Sequence, residues 1–431
     1  MSTPPDDASS RRAARLTELD GLRGLAAVVV LIDHCLQTVP SIAAVGTHPG
    51  VTPDGALERI LTGTPLHLLW AGHEAVLVFF VLSGVALVYP IARRHARSQP
   101  FDWVDYAPRR VVRLWLPAAA STTWAMLLIV LVPRSTDPAL GSWMTTGHPP
   151  GLSVDQQILE FLLISQHSYR NTVLWSLHAE AIFSIMLPVV VALVALAARR
   201  RLSWAVLGAA LAVPLATGSL GWGRYLPVFT IGAVLGWSWG HLDRPLPPRP
   251  RPWATPLALL CLLLITIAWW PPFLHGALQH VALSMTTAAV TCLVVLAVRA
   301  GALRGLLRSR AVQYLGTMSF SLYLVHEPVV VAVRLLTASW SPWWMLVLAP
   351  LASAPLTILF HRFIEAPSHR LSREVGRRAS ARFRRRRGAE SIGSLPAGLL
   401  PRFRRRRGAD AVGRPDRARW TGGDTRVALE E

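Results

Sequence analysis

The sequence predicts an all-α protein, a polytopic bundle of about ten transmembrane helices, from three observations. Apolar residues make up 52% of the 431 positions and charged residues only 16%, a balance that argues against a soluble protein. Many apolar runs are long enough to cross a bilayer, whose hydrocarbon core needs about 20 helical residues. The arginines concentrate in alternate loops, as expected where cytoplasmic loops carry the positive charge.

The predicted spans follow the apolar runs in chain order. They cover residues 22–39, 66–91, 111–132, 173–197, 202–217, 225–239, 253–270, 277–298, 312–336 and 343–360. With ten spans, the arginine-rich connections and both ends of the chain fall on one side of the bilayer. We therefore predict a multi-pass membrane protein with both termini in the cytoplasm.

Three regions divide the chain. Residues 1–18 are polar and are predicted to form a disordered cytoplasmic N-terminus, whereas residues 19–367 form the transmembrane domain. Residues 368–431 are predicted to form an Arg-rich, disordered cytoplasmic tail. The tail contains RFRRRRGAE and, twenty residues later, RFRRRRGAD, and its charge would hold it near anionic lipid. Because topology explains the net charge of +20, we expect no nucleic-acid partner.

The longest connection outside the tail covers residues 133–172. It contains a short apolar piece at residues 158–164 that cannot span a bilayer and is interfacial or re-entrant. The three cysteines lie in apolar spans and form no CxxC pair. Neither a disulfide framework nor a metal site is therefore predicted.

The first span carries an arginine near its start and a histidine deep inside it. Arg23 and His34 are eleven residues apart, so both leave one helix face after about three turns. Their axial separation is about 16 Å, roughly half of the hydrocarbon core. Ionisable groups within a span usually face a cavity or a partner, which makes this stripe a candidate functional site. A structural histidine bonded to a neighbouring helix is the alternative.

A candidate anion pocket lies at the same end as Arg23. Arg110 and Arg113 are three residues apart at the start of the third span and share a helix face. Guanidinium groups suit phosphates, so we predict that these three arginines bind an anionic ligand. The alternative is that they only anchor the cytoplasmic side of the span.

The remaining polar residues within the spans suggest a cavity lined by spans one, two, four and nine. The candidate lining residues are Asp33, Ser83, Trp175, Tyr323 and Glu327. Glu180, placed near the outer surface, and His326 join His34 as candidate catalytic residues. Each of these groups could instead join helices by hydrogen bonds.

Two local features carry structural expectations. Pro328 lacks an N–H group and should leave the Leu324 carbonyl without its helical donor. The pair Ser83-Gly84 lacks the G-x-S-x-G pattern of a hydrolase nucleophile and favours close helix approach instead.

Seven motifs taken in order resemble the bacterial acyltransferase 3 family, whose members are integral membrane O-acyltransferases of sugars and some antibiotics. They are RGLAAVVVLIDH, FFVLSGVALVYP, RRVVRLWLP, LWSLHAE, FTIGAVLG, YLGTMSFSLYLVHEP and FIEAP. The resemblance covers residues 19–367, and the ordered set with Arg-x10-His intact is quite specific. Two positions depart from the usual family pattern, Asp33 beside the histidine and His178-Ala179 in the fourth motif.

The resemblance implies a location in the bacterial plasma membrane and a cytoplasmic acyl-CoA donor, often acetyl-CoA. This donor is a co-substrate, and no bound cofactor is expected. The acceptor is a hydroxyl of a carbohydrate or glycosylated small molecule met on the outer side. The resemblance also implies that His34 is catalytic and that Arg23, Arg110 and Arg113 are its essential partners. The donor phosphates would then bind these arginines, and the acceptor would enter past Glu180.

Two other classes of function fit the sequence. A polytopic transporter or lipid-linked-sugar flippase also places charged groups in its core, although no inverted repeat is visible. A non-enzymatic membrane scaffold acting through the Arg-rich tail is the third interpretation.

Overall fold

The computed structural model describes a helical protein. The described residues are 16–47, 51–53, 55–151, 153–165, 167–216, 225–242, 251–270, 273–274 and 276–393, and they contain no strand. Two compact units divide the chain, one ending at Arg382 and the other beginning at Phe383. The second unit is described only to Gly393, where its backbone is helical.

Sixteen α-helices lie within the described residues. They are α1 Thr17–Leu36, α2 Pro40–Thr47, α3 Ala56–Gly63, α4 Gly72–Ala96, α5 Trp103–Leu131, α6 Ser142–Gly147, α7 Val154–Phe161, α8 Leu174–Arg199, α9 Ser203–Ala216, α10 Leu226–Gly240, α11 Ala254–Ile265, α12 Gly276–Ala297, α13 Gly301–Leu307, α14 Arg310–Leu336, α15 Met345–Phe360 and α16 Ala366–Gly393. Short 3₁₀ turns precede several of them, and a π-helical turn at His361–Glu365 joins α15 to α16.

A helix occurs at each of the ten predicted spans. Six helical segments are long and apolar enough to cross a membrane, including α4, α5, α8, α12, α14 and the continuous segment that contains α15. A seventh crossing would combine α1 and α2, which are bent by 115° relative to each other. Three further apolar helices, at α9, α10 and α11, are shorter. The chain is therefore a multi-pass helical membrane protein, and the number of ten crossings stays a prediction.

The second predicted span begins later than the hydropathy suggested. Residues Pro65–Trp70 form a 3₁₀ helix, and α4 begins only at Gly72. Proline at the first position suits a helix start, and the Thr64 side chain accepts the N–H of Leu66 at 3.2 Å. A hydropathy scan could not separate the two helices, because both are apolar.

The first helix begins inside the region that was predicted to be disordered. Glu18 is buried, and its carboxylate accepts a hydrogen bond from Arg304 Nε at 2.9 Å. Arg308 lies 2.8 Å from the same carboxylate oxygen. These guanidinium groups compensate the buried charge, so the helix can begin at Thr17. The predicted disorder of residues 1–15 lies outside the described residues.

The start of the tail also differs from the prediction, because α16 is an ordered helix. Glu374 Oε1 accepts from Arg378 Nε at 2.6 Å, an i,i+4 pair that favours a helix. Ser380 Oγ donates to Asp102 Oδ2 at 2.5 Å and so fixes the helix against the start of α5. The predicted disorder is therefore replaced by a helix for residues 368–393. The second copy of the arginine repeat, residues 402–410, lies outside the described residues.

Glycines allow two helix pairs to pack backbone against backbone. A Cβ atom on Gly24 of α1 would lie 2.5 Å from the backbone nitrogen of Gly316 on α14. A Cβ on Gly84 of α4 would lie 2.2 Å from the Phe229 carbonyl oxygen on α10. Gly84 therefore serves close helix approach, as its sequence context indicated, and the contact of Gly24 with Gly316 brings α1 and α14 together.

The connection between α5 and α8 returns to the middle of the bundle. Ser121 Oγ donates to the Leu324 carbonyl oxygen at 2.7 Å, and Asn171 Nδ2 donates to it at 2.8 Å. This is the carbonyl that Pro328 deprives of its helical donor, and its donors are supplied by Ser121 of α5 and by Asn171 of the connection. Leu324 lies about 21 Å along α14 from its first residue, so the end of the connection reaches the middle of that helix, and we call residues 133–172 the re-entrant connection.

Arg134 stabilises this re-entrant connection. Its guanidinium donates to the carbonyl oxygens of Tyr169 at 2.5 Å and Arg170 at 2.8 Å. Glu160 accepts the Tyr169 N–H at 2.9 Å and lies 3.5 Å from the Arg170 guanidinium. Burial lowers the pKa of Arg134 to about 10, which still leaves it charged at neutral pH.

We predict that Gly232→Ala lowers the stability of the purified protein. The new methyl group would lie 2.1 Å from the Val81 carbonyl oxygen, so α4 and α10 would have to separate. Overpacking of this kind costs about 1–3 kcal/mol and should lower the midpoint of thermal unfolding in detergent. Gly208→Ala is the matched control, because a Cβ atom there meets nothing within 4 Å. Equal midpoints for the two variants would contradict the prediction.

Candidate functional site

A polar cavity of about 280 Å³ lies between six helical segments, and we call it the inner cavity. The predicted arginines line it together, on α1 and α5. Its lining comprises Asp20, Arg23, Ser83, Ala86, Leu87, Arg110, Arg113, Leu114, Glu180, Gly316, Thr317, Ser319, Phe320, His361, Glu365 and His369. Spans one, two, four and nine all contribute, as the sequence suggested, and α5 and the start of α16 complete the wall.

Glu180 lies in the inner cavity, which differs from its predicted place near the outer surface. Its carboxylate accepts from Arg110 at 2.5 Å and from Ser83 Oγ at 3.1 Å. Arg110 Nε also donates to Ser184 Oγ at 2.9 Å, so its guanidinium is held by α8 on two sides. The ion pair places Glu180 beside the arginines and apart from His34, because α8 begins deep in the bundle after the re-entrant connection.

Arg23 and Arg113 differ from Arg110, whose guanidinium is paired with Glu180. Among the described residues, neither guanidinium has an ion pair or hydrogen bond with a protein acceptor. The residue Arg113 is exposed, and Arg23 is half-buried. Two cations that line one cavity in this way attract an anionic ligand, and their forked donors match phosphate oxygens.

The far wall of the inner cavity contains a group that the sequence reasoning missed. Glu365 accepts hydrogen bonds from Ser321 Oγ at 2.5 Å and from His361 Nδ1 at 2.9 Å. His369 Nε2 lies 3.9 Å from its other oxygen. The spacing His-x3-Glu-x3-His would have placed these three side chains on one helix face, which is the signal that could have found them.

A smaller cavity of about 40 Å³ adjoins the inner cavity and shares Arg23, Ser83 and Glu180 with it. We call it the connecting cavity. Its other walls include Phe79, Ser176 and Tyr323. The Ser176 and Tyr323 hydroxyl groups are 2.7 Å apart, and the Tyr323 ring centre lies 6.0 Å from that of His326. The connecting cavity therefore leads from the arginines towards the histidines.

His34 and His326 are in direct contact, and their hydrogen bonds define their tautomers. His326 Nδ1 lies 2.9 Å from the Leu322 carbonyl oxygen, which can only accept, so Nδ1 carries the proton. In the neutral ring His326 Nε2 is then an acceptor, and it lies 3.1 Å from His34 Nδ1. His34 donates through Nδ1, and in its neutral form Nε2 has a free lone pair.

His148, on the re-entrant connection, completes this group and was missed by the sequence reasoning. Its Nε2 lies 2.7 Å from Glu327 Oε1, and its Nδ1 lies 3.1 Å from the Trp143 carbonyl oxygen. Glu327 also accepts the Val173 N–H at 3.3 Å. Glu327 is fully buried and lines neither cavity, in contrast to its predicted role, because the connection covers it. Nothing in the loop sequence distinguished His148 from a surface histidine.

Aromatic rings enclose His34 on two sides. The His326 ring lies beside it with centres 4.9 Å apart and 19° between the ring planes, and the Trp143 ring of α6 lies 5.4 Å away. Trp175, predicted to line the cavity, packs instead against Tyr225 at 4.9 Å and Phe80 at 5.8 Å. It lines neither cavity, because the first turn of α8 directs it towards α10.

Asp33 also lies outside both cavities, beside His34. Its Oδ2 is 3.9 Å from His34 Nε2, and its Oδ1 accepts from Gln37 Nε2 at 3.4 Å. The carboxylate packs against Gly72, where a Cβ atom would lie 2.3 Å from Oδ2. The absence of a side chain at Gly72 thus makes room for Asp33.

An arginine-lined cavity inside an apolar helical bundle, with a smaller cavity beside it that extends towards a histidine pair, is the candidate site of a membrane protein. The chain belongs to the acyltransferase 3 family, whose acyltransferase domain matches residues 16–362. This confirms the resemblance of its motifs and identifies a membrane acyltransferase. Searches of curated proteins and of solved structures found no match.

We predict that His148→Phe lowers the free energy of unfolding by about 3–5 kcal/mol, because it leaves Glu327 buried without its partner. The double variant His148→Phe/Glu327→Leu should regain much of this loss, since it removes the buried acid. Denaturant unfolding of the purified protein in detergent measures both. A double variant no more stable than His148→Phe would contradict the interpretation of the pair.

Proposed function

We propose that the protein is an O-acyltransferase that moves an acyl group, most simply acetyl, from cytoplasmic acyl-CoA to a hydroxyl of a sugar-containing acceptor. Family membership supports acyl transfer. The hydrogen-bond chain from the Leu322 carbonyl through His326 to His34 is the observation that carries the proposal of a base. It presents His34 Nε2 as an unprotonated nitrogen, and a sugar hydroxyl needs such a base to become an effective nucleophile.

The inner cavity suits the donor. Acyl-CoA combines several phosphate groups with a long arm that ends in the thioester. Arg23 and Arg113 would bind phosphate oxygens, while Glu180 holds Arg110 in place beside them. Arg23 and His34 lie on one helix about 16 Å apart, so the arm would extend from the arginines through the connecting cavity to the histidine.

The chemistry uses groups of this chain and the two substrates. His34 Nε2 accepts the proton of the acceptor hydroxyl while the hydroxyl oxygen bonds to the acyl carbon. The carbon–sulfur bond then breaks, and the departing thiolate takes the proton from the His34 imidazolium. His326 is a positioning residue in this scheme, because it fixes the His34 ring through Nδ1. No bound cofactor or metal takes part in the proposal.

The proposal includes a location in the bacterial plasma membrane with both termini in the cytoplasm. Arginine-rich connections on one side support this orientation. The arginines of the inner cavity lie near the start of α1 and α5, the ends assigned to the cytoplasm, where acyl-CoA is made. The Arg-rich tail would contact anionic lipid of the cytoplasmic leaflet, and nucleic acid is not a proposed partner.

We predict that His34→Ala abolishes transfer. Cells producing wild type and His34→Ala at equal membrane abundance would be compared by mass spectrometry for base-labile O-acyl groups on surface glycans and exported small molecules. The ester should be present with wild type and absent with the variant, because the hydroxyl lacks its base. His95→Ala is the control, since His95 lies at the exposed end of α4 and lines neither cavity.

The alternatives give different results in this experiment. An ester made equally by His34→Ala would retain the enzyme and discard His34 as its base. Wild-type cells without any ester, but with uptake or export of a glycan, would favour the transporter or flippase instead.

We predict that Arg113→Ala raises the KM for acetyl-CoA by about tenfold or more and leaves the KM for the acceptor nearly unchanged, because a charged hydrogen bond to phosphate is lost. Initial rates of thiol release by the purified protein measure both constants. Arg109→Ala is the matched control on the same helix, since Arg109 pairs with Asp105 and does not line the inner cavity. An unchanged donor KM in Arg113→Ala would count against the donor site.

A further inference from the structure

We propose that Asp33 is a specificity residue that binds the hydroxyl next to the reacting one, so that the acceptor is a sugar with neighbouring hydroxyl groups. This inference rests on the proposed function.

Solvent exposure distinguishes Asp33 and His34 from the other polar side chains of this cluster, which are His148, His326 and Glu327. The side chains of Asp33 and His34 are 15% and 12% exposed, whereas the side chains of His148 and Glu327 are 1% and 0% exposed. His326 is also fully buried. A molecule that approaches this group therefore meets His34 and Asp33 and no other titratable member of it.

The two side chains do not hydrogen-bond to each other, so each keeps one atom for a ligand. His34 Nε2 and Asp33 Oδ2 are 3.9 Å apart, which is too long for a direct hydrogen bond. His34 Nδ1 is already used by His326, and Asp33 Oδ1 by Gln37. The two atoms that remain are Nε2 of His34 and Oδ2 of Asp33, and they lie 3.9 Å apart.

Both remaining atoms accept hydrogen bonds when His34 is neutral and Asp33 is ionised. Two neighbouring hydroxyl groups on one sugar ring supply two donors side by side. One hydroxyl donates to His34 Nε2 and loses this proton during transfer, while its neighbour donates to Asp33 Oδ2 and orients the ring. An alcohol with a single hydroxyl satisfies only one of the two acceptors.

The surroundings hold Asp33 in this position. Gln37, one turn later on α1, donates to Oδ1, and Gly72 at the start of α4 leaves space for Oδ2. A Cβ atom at Gly72 would lie 2.3 Å from Oδ2 and 2.6 Å from the carboxyl carbon, so it would displace the carboxylate. The same interaction can thus be tested from Asp33 or from Gly72.

The test uses radiolabelled acetyl-CoA with a set of methyl glycopyranosides and their monodeoxy analogues, each lacking one hydroxyl. For the wild type, removal of the hydroxyl beside the acylated one should lower kcat/KM for the sugar by about tenfold or more. In Asp33→Ala, removal of the same hydroxyl should leave kcat/KM for the sugar almost unchanged. The complete sugar should then react with this variant about as slowly as the deoxy sugar reacts with wild type. The KM for acetyl-CoA should stay within about twofold.

Two further variants distinguish this role from a general loss of structure. Asp33→Asn retains a carbonyl oxygen and should keep most of the preference for the complete sugar. Gly72→Ala should lose the preference although Asp33 is present, whereas Gly208→Ala, in open space, should keep it.

The outcomes separate this inference from the proposed function. Equal discrimination against the deoxy sugar by wild type and Asp33→Ala would overturn the role of Asp33 and leave the acyltransferase intact. An Asp33→Ala variant whose donor KM rises as much as its sugar KM would also overturn it. Transfer by wild type to none of the sugars would count against the proposed function, and the inference would fail with it.

Discussion

The backbone contact between α1 and α14 is the constraint on which the functional centre depends. Gly24 and Gly316 allow the helices to approach so closely that a single Cβ atom would not fit between them. At this distance His34 and His326 meet at 3.1 Å, although 292 positions separate them in the sequence. The same contact directs Arg23 into the inner cavity, so one helix crossing positions both the arginine and the histidine.

Features that follow from local chemistry could be predicted from the sequence. Apolar runs located the helices, because burial of a helical backbone in lipid requires them. The spacing of Arg23 and His34 placed both on one stripe, and Pro328 identified the Leu324 carbonyl as an unpaired acceptor. Each of these inferences needs only the geometry of one helix.

Features that depend on distant segments could not be predicted. Glu180 was expected near the outer surface, because hydropathy gives no sign that α8 begins beside the middle of α14. His148 belongs to a polar connection, and only the path of that connection brings it to Glu327. The helix that begins the tail has a polar sequence, and its order depends on contacts such as that of Ser380 with Asp102.

The re-entrant connection also has a consequence for protein engineering. Asn171, together with Ser121 of α5, donates to the carbonyl that Pro328 leaves without a helical donor, and His148 pairs with the acid next to that proline. The connection and helix α14 therefore carry complementary polar groups. A chimera that exchanges this connection between relatives should lose stability unless the incoming segment carries an amide and an imidazole at these positions, or unless α14 is exchanged with it.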